Sequence, residues 1–472
     1  MRSLSLIFVL LISSGSWLLT GCRGVRPANQ EQTRAGSPGS ATTAGSNVPP
    51  VVIFDALCQA VQDNYPMLEF VGWEGEKWGQ EFRRRISTAP TREVAFQLMD
   101  EFICRLNDYH TRFFWPGRPQ LAAPAFRVEP VLSTGSAPPD HGIWAEARPP
   151  VELPAIGGIC IAVVEAEKDT GLQPGDEILE MDGVPVAEAL ARSWRHAVGC
   201  SVGGKLRSAA GRMLGGLADK EIQVTVHRRQ AQGVGEEIRV TVPRSKDAVG
   251  NAVSRQEVKG VPVIRIAHWN NKTGENLVAD FDAMLNEMRD RPGIIIDVRR
   301  NGGGQDKIAD QVIGRFLKEP VLSSISFNRV VPGTTYERKI MMSDPRGPWR
   351  YEGRVAVLTD EGCLSACEHF VSGMVEAGAL ICGTPTSGAC GLIRTVQLPG
   401  GTRLNISQTF PLHSGGIPSP QFGIVPHLWA PRTLDDLRNG QDTALNAALR
   451  WVKSNDPLSP RFQPLAPFSR KK

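Results

Sequence analysis

From Val261 onward, short apolar runs alternate with amphipathic stretches, and few folds accommodate that order. Residues 261–266, 294–296 and 355–358 are runs that read as buried strands. Between and after them come Leu277, Phe281, Leu285 and Met288 at helical spacing, a helical stretch over about 306–317, and another after Ser365. Such alternation implies α/β layers around a largely parallel sheet. Two strand ends carry motifs: Asp297-Val298-Arg299-Arg300-Asn301-Gly302-Gly303-Gly304 and Cys363-Leu364-Ser365-Ala366-Cys367-Glu368. In open α/β sheets, strand ends are where ligands and catalytic groups collect.

Together the motifs suit acyl transfer. A serine at a helix start presents its Oγ beside unpaired backbone N–H groups, and a glycine turn lets another N–H approach the same point without a Cβ in the way. That is an oxyanion hole in outline. Taken singly, each motif would better suit a mere tight turn or an N-cap than catalysis; together, their order and spacing favour catalysis.

At these residues the chain resembles the carboxyl-terminal processing (tail-specific) serine peptidase family. The resemblance rests on Asp297-x-Arg299-x-Asn301-x-Gly303-Gly304, on Ser365-Ala366-x-Glu368, and on Gly383-Thr384-Pro385-Thr386-Ser387-Gly388, and runs from about 54 to about 431. It implies a multidomain α/β protein: a helical cap, a PDZ-like β-rich module and an α/β catalytic domain of the ClpP/crotonase type. Carried over residue by residue, the nucleophile is Ser365 and the oxyanion donors are the amides of Gly303 and Ala366. Asp297, Arg299 and Asn301 fix the glycine turn, and Glu368 serves the serine helix structurally, its charge suiting the helix dipole.

A serine hydroxyl needs a base. One branch of the family supplies a lysine in the Gly-x-Lys-Thr motif, where this chain has Pro385. The branch typified by the tricorn protease core uses a distant histidine, and Asp108-Tyr109-His110-Thr111 matches it, so His110 is the expected base, with His369 and His427 as rivals. That branch also has a serine before the histidine and a late glutamate. Here Tyr109 precedes His110, and Ser419-Pro420-Gln421-Phe422-Gly423 holds no acid, which leaves Gln421 or Ser419 as candidate orienting residues. The resemblance implies a serine-type endopeptidase needing no cofactor and no metal, acting on protein or peptide substrates, with engagement of their C-termini by the PDZ-like module. The alternative is a catalytically inactive peptide- or ligand-binding protein on the same fold, suggested by the missing acid.

Outside the resemblance, Leu4 to Leu19 form an apolar run behind Arg2 and end in Leu19-Thr20-Gly21-Cys22. This resembles a bacterial lipobox, making 1–22 a lipoprotein signal peptide and Cys22 the lipid anchor. Arg23 after it is the outer-membrane habit, so the expected place is the periplasm, tethered to the membrane. Residues 23–49 read as a flexible tether, 50–118 as the helical cap, 119–245 as the PDZ-like domain, 250–455 as the catalytic domain and 456–472 as a tail. The PDZ-like signature is Gly171-Leu172-Gln173-Pro174-Gly175-Asp176 through Asp182-Gly183, with Gly158-Ile159-Cys160-Ile161 at the expected carboxylate loop. A net charge of +4 without a basic cluster beyond Lys471-Lys472 offers nothing to a nucleic acid. Eight cysteines besides Cys22 permit disulfides in an exported chain, and their distribution would suit Cys58 with Cys104 and Cys160 with Cys200.

Overall fold

Apolar residues three and four apart build the first three helices, α1 (Pro50–Asn64), α2 (Gly75–Ser87) and α3 (Arg92–Cys104). The structure is a computed structural model that describes residues 47–68, 71–133, 149–217, 220–229, 235–245, 252–272, 275–330, 335–389, 391–414, 416, 418–419 and 423–458. Proline at the first position pre-sets α1, and Thr91 caps α3 by accepting the Val94 N–H. Ile53, Phe54 and Leu57 of α1, Phe82 of α2 and Phe102 of α3 share one core. The ring of Phe102 meets Phe54 and Phe82 edge-on at 4.9 and 5.4 Å. The cap expected over 50–118 is not helical to its end, since its last helix stops at Cys104. Arg112–Phe114 is a strand, β1, pairing antiparallel with Arg403–Ser407 so that Phe113 lies opposite Leu404 in this same core.

The middle module runs β2 (Leu121–Pro124), β3 (Phe126–Leu132), β4 (Ile159–Ala166), β5 (Glu177–Met181), β6 (Val184–Pro185), α4 (Val186–Trp194), α5 (Val202–Leu214), β7 (Gly216–Leu217), β8 (Glu221–Arg229) and β9 (Gly235–Ser245). Its sheet has the order β3-β4-β5-β8-β9-β2-β7. Asp182 and Gly183, at the end of the PDZ-like signature, both have positive φ, 50° and 75°, and make a two-residue hairpin between β5 and β6. The two helices did not stand out in a β-rich reading of the module. They bury Leu190 and Trp194 of α4 and Leu206, Ala209 and Ala210 of α5 against the sheet. Strand β4, which leaves the Gly158 loop, pairs along its length with β3, and on its other edge Val163 bonds to Gly175 and Asp176. Neither edge of its central part is open to an added peptide strand, the usual PDZ mode of capture.

The C-terminal part continues with β10 (Val253–Val258), β11 (Val261–Ile266), α6 (Leu277–Glu287), β12 (Gly293–Asp297), α7 (Asp306–Ile313), β13 (Val321–Arg329), β14 (Tyr336–Ser343), β15 (Arg354–Thr359), α8 (Ala366–Glu376), β16 (Leu380–Gly383), β17 (Ile393–Gln397), β18 (Arg403–Ser407), β19 (Thr409–His413), β20 (Leu428–Trp429), α9 (Leu434–Arg438) and α10 (Thr443–Lys453). The central sheet is ordered β10-β11-β12-β15-β16-β20, and every pair from β11 onward is parallel. Its strands are buried on both faces, one under α6, α7 and α8 and the other under α10, which is why they read as unbroken apolar runs.

The modules are joined by charge. Glu129 on β3 bonds Arg207 of α5 at 2.9 Å and Arg300 of the glycine turn at 2.7 Å, while Arg207 also reaches Asp360 at 3.0 Å. Burial works against ionisation of Glu129, but Arg207, Arg300 and Arg432 outweigh it and hold the carboxyl at about 2.

The expected disulfides are not made. Cys58, Cys104, Cys160, Cys363, Cys367 and Cys382 are free thiols, so neither expected pair is bridged, and Cys390 lies outside the described residues. Cys104 donates to the His196 carbonyl at 3.3 Å.

Candidate active site

After β15 the chain turns through residues 360–364 into α8, and Ser365 sits at the head of that helix with φ 59° and ψ −126°. A non-glycine residue held there costs on the order of 1–3 kcal/mol and persists only where its surroundings impose it. Here the Ser365 N–H donates to the Ala389 carbonyl at 2.7 Å, and the Leu364 N–H donates to the Asn301 carbonyl at 3.1 Å. The hydroxyl makes no capping bond to its helix, and the residue is only half-buried. Glu368, one turn on, is fully buried. Its Oε1 accepts Thr386 Oγ1 at 2.6 Å and the Gly388 N–H at 2.7 Å, so it fixes the loop whose Ala389 carbonyl holds Ser365. Burial pushes the Glu368 carboxyl up to about 7.

The two motifs meet at Gly303. With φ +91°, a Cβ there would lie 2.7 Å from Ser365 Cβ and 3.1 Å from the Ala366 nitrogen, so only glycine fits. The Gly303 N–H donates to Asn301 Oδ1 at 2.9 Å, and the fully buried Asn301 is itself anchored through Nδ2 to the Ile266 carbonyl at 3.1 Å. In this resting geometry a side-chain oxygen occupies the amide that an oxyanion would use. Arg299 grips Asp297 through Nε and Nη2 at 2.9 and 2.7 Å and reaches Asp442 at 2.9 Å, bracing the turn against α10.

His110 lies between α3 and β1, 8% exposed. Its backbone N–H donates to Asp108 Oδ1 at 2.9 Å, Asp108 Oδ2 accepts Thr111 Oγ1 at 2.7 Å, and Thr111 Oγ1 accepts the Ser407 N–H at 3.2 Å. The cap loop is thereby pinned to β18. Burial lowers the imidazole pKa below 6.5, with Asp108 opposing. Among the described residues Nδ1 of His110 has no hydrogen-bond partner, and no hydrogen bond links His110 to Ser365. Their neighbours in the chain do share a space: Asp108, two residues before His110, lines the same cavity as Gly388 and Ala389 of the loop that holds Ser365. Apo sites often lack such a bond until substrate arrives.

The rival histidines are committed elsewhere. Although burial opposes it, a 2.7 Å bond to Asp310 Oδ1 holds the His369 pKa above 6.5, and His427 Nδ1 accepts the Ile381 N–H at 2.9 Å. Ser419 is fully buried and its Oγ has no partner among the described residues, His110 included, so it does not orient His110 in this geometry. Gln421 and Cys22 lie outside the described residues. The charged neighbour that sequence reasoning missed is Asp306, two residues past the glycine turn at the start of α7. Its charge acts on both His110 and His369, and burial pushes its own pKa up. The only signal for it was an acid in the first helical turn after three glycines.

A strained, half-exposed serine at a helix start, packed against a glycine turn at the ends of parallel strands, defines a serine-type hydrolase. Residues 260–428 match peptidase family S41, and the chain carries an S41 peptidase domain. The fold is similar to that of mature CPAF complexed with lactacystin, with TM-score 0.63 and 15% identity over 86% of this chain and 97% of that one. It is likewise similar to a mutant of CPAF, with TM-score 0.65 and 14% identity over 87% and 99%. No curated protein matches the chain in sequence.

Proposed function

We propose that this protein is an exported, lipid-anchored serine endopeptidase that cuts protein or peptide substrates through an acyl-enzyme. The contact between the Gly303 backbone and the strained head of Ser365 carries the reading. Ser365 Oγ attacks the peptide carbonyl while His110 takes its proton and returns it to the leaving amine. The Ala366 N–H and the Gly303 N–H, released from Asn301, hold the oxyanion, and water then frees the acyl group. A fluorophosphonate probe should label the purified protein on the peptide containing Ser365; a folded protein that takes no label there overturns the assignment.

The unpartnered His110 Nδ1 and the occupied Gly303 amide support a second reading, an inactive binding protein on the same fold. The same probe separates the two.

Anchoring rests on the lipobox reading of Cys22. Cys22→Ser should leave the protein without its lipid, and in detergent phase separation it should move to the aqueous phase while the parent stays with detergent. Equal partitioning of the two would remove the anchor from the proposal.

A further inference from the structure

A cavity of about 180 Å³ opens between the cap, the middle module and the loop that holds Ser365. Its walls are mainly apolar, among them Tyr65, Met67, Val71, Trp78 and Leu106, and they include Gly388 and Ala389. The Ala389 carbonyl accepts the Ser365 N–H, so the cavity reaches the loop that holds the nucleophile, although Ser365 itself is not part of its lining.

One group in the lining is out of place. Lys205 of α5 is 3% exposed. Its ammonium donates to Asn107 Oδ1 at 2.8 Å and lies 4.8 Å from the Trp194 ring centre. An ammonium has three donors, and among the described residues no carboxylate lies within ion-pair distance of this one. The other charged residues deep in the lining are satisfied. Glu101 holds Arg85 at 3.2 and 2.9 Å, Arg105 holds Glu81, and Asp108 holds His110 and Thr111. A buried cation without a counter-charge is costly, and burial pushes Lys205 down to about 8, which still leaves it mostly protonated at neutral pH.

We propose that this cavity is a substrate pocket for a carboxylate on a short apolar arm, with Lys205 as the cation that receives it. The proposal rests on the peptidase reading, because it makes the ligand part of the chain being cut. The carboxylate has two natural sources in a peptide: the side chain of a glutamate or aspartate, and the α-carboxylate of the last residue. Both present the same anion, and both supply the counter-charge and hydrogen bonds that Lys205 lacks. The α-carboxylate would enter here rather than along β4, whose central part is flanked on both edges by its own module.

The test uses the full chain carrying Ser365→Ala, so that binding is read without turnover, with fluorescein-labelled peptides followed by fluorescence polarisation. One pair is a leucine-terminated peptide as free acid and as amide; the other is an amidated peptide with glutamate or glutamine at one internal position. In at least one pair the acid should bind about tenfold or more tightly than its neutral partner, as expected for a charged hydrogen bond. Lys205→Met, which keeps the apolar stem, should erase that difference. The pair that responds identifies the source. Equal affinity within both pairs, no binding by any of the peptides, or a preference that survives Lys205→Met overturns the proposal. If Lys205→Met does not fold, the acid and amide comparison on the Ser365→Ala protein decides alone. Labelling of Ser365 by the fluorophosphonate reports separately on the peptidase reading, so either can fail without the other.

Discussion

Ser365→Ala should lower kcat/KM on any cleaved peptide by about 10⁴-fold or more, because nucleophile and base act as a unit. Its thermal midpoint should stay close to the parent's. The hydroxyl makes no capping bond, and alanine inherits the same backbone contacts to Ala389 and the same positive φ. Peptide hydrolysis by parent and variant, with melting curves on the same samples, checks both halves. Turnover at the parental rate in a folded variant would move the nucleophile elsewhere.

The second large effect belongs to His110. A general base must be neutral to accept the Ser365 proton, and burial lowers the His110 pKa below 6.5. The rate should therefore rise with pH through an inflection below 6.5 and be level through neutrality. His110→Gln should cost about 10²- to 10⁴-fold in kcat/KM and remove that inflection. The position of the inflection is itself diagnostic. His369 is held above 6.5 by Asp310, so a rate that rises only above 6.5 and survives His110→Gln would transfer the role to His369. The profile of kcat/KM against pH for both proteins settles the choice.

Both predictions rest on residues that local patterns reveal. Strand β12 and the head of α8 were legible because a strand buried on both faces is an unbroken apolar run, and because glycine and serine at strand ends announce backbone that must turn sharply. The Asp182-Gly183 hairpin was legible for the same reason, since a two-residue turn needs positive φ at both positions. What stayed hidden depends on long-range partners. Nothing around Phe113 announces that it will lie opposite Leu404, almost three hundred residues on, although that pairing carries His110 to the catalytic domain. Helix α5 begins Val202-Gly203-Gly204, a poor helical opening by propensity, and it forms because Leu206, Ala209 and Ala210 find the sheet. Nothing in Gly204-Lys205-Leu206 marks the lysine as special, yet packing closes over it. Cysteine spacing misled because it reports how many thiols a segment holds and not which way they face.

The ion cluster around Glu129 ties orientation to chemistry. Glu129 belongs to the middle module, yet its partner Arg300 is part of the glycine turn, holds a strained φ of 61°, and donates its N–H to Asp360 Oδ1 at 2.8 Å. Asp360 is in turn bound by Arg207 from the middle module and accepts the Gly362 N–H on the approach to Ser365. Tilting the module as a rigid body would strip buried charges of their partners, at about 3–5 kcal/mol for one broken pair. The middle module therefore behaves as a keystone rather than a swinging arm: the angle at which it sits and the shape of the turn beside the nucleophile are one mechanical variable.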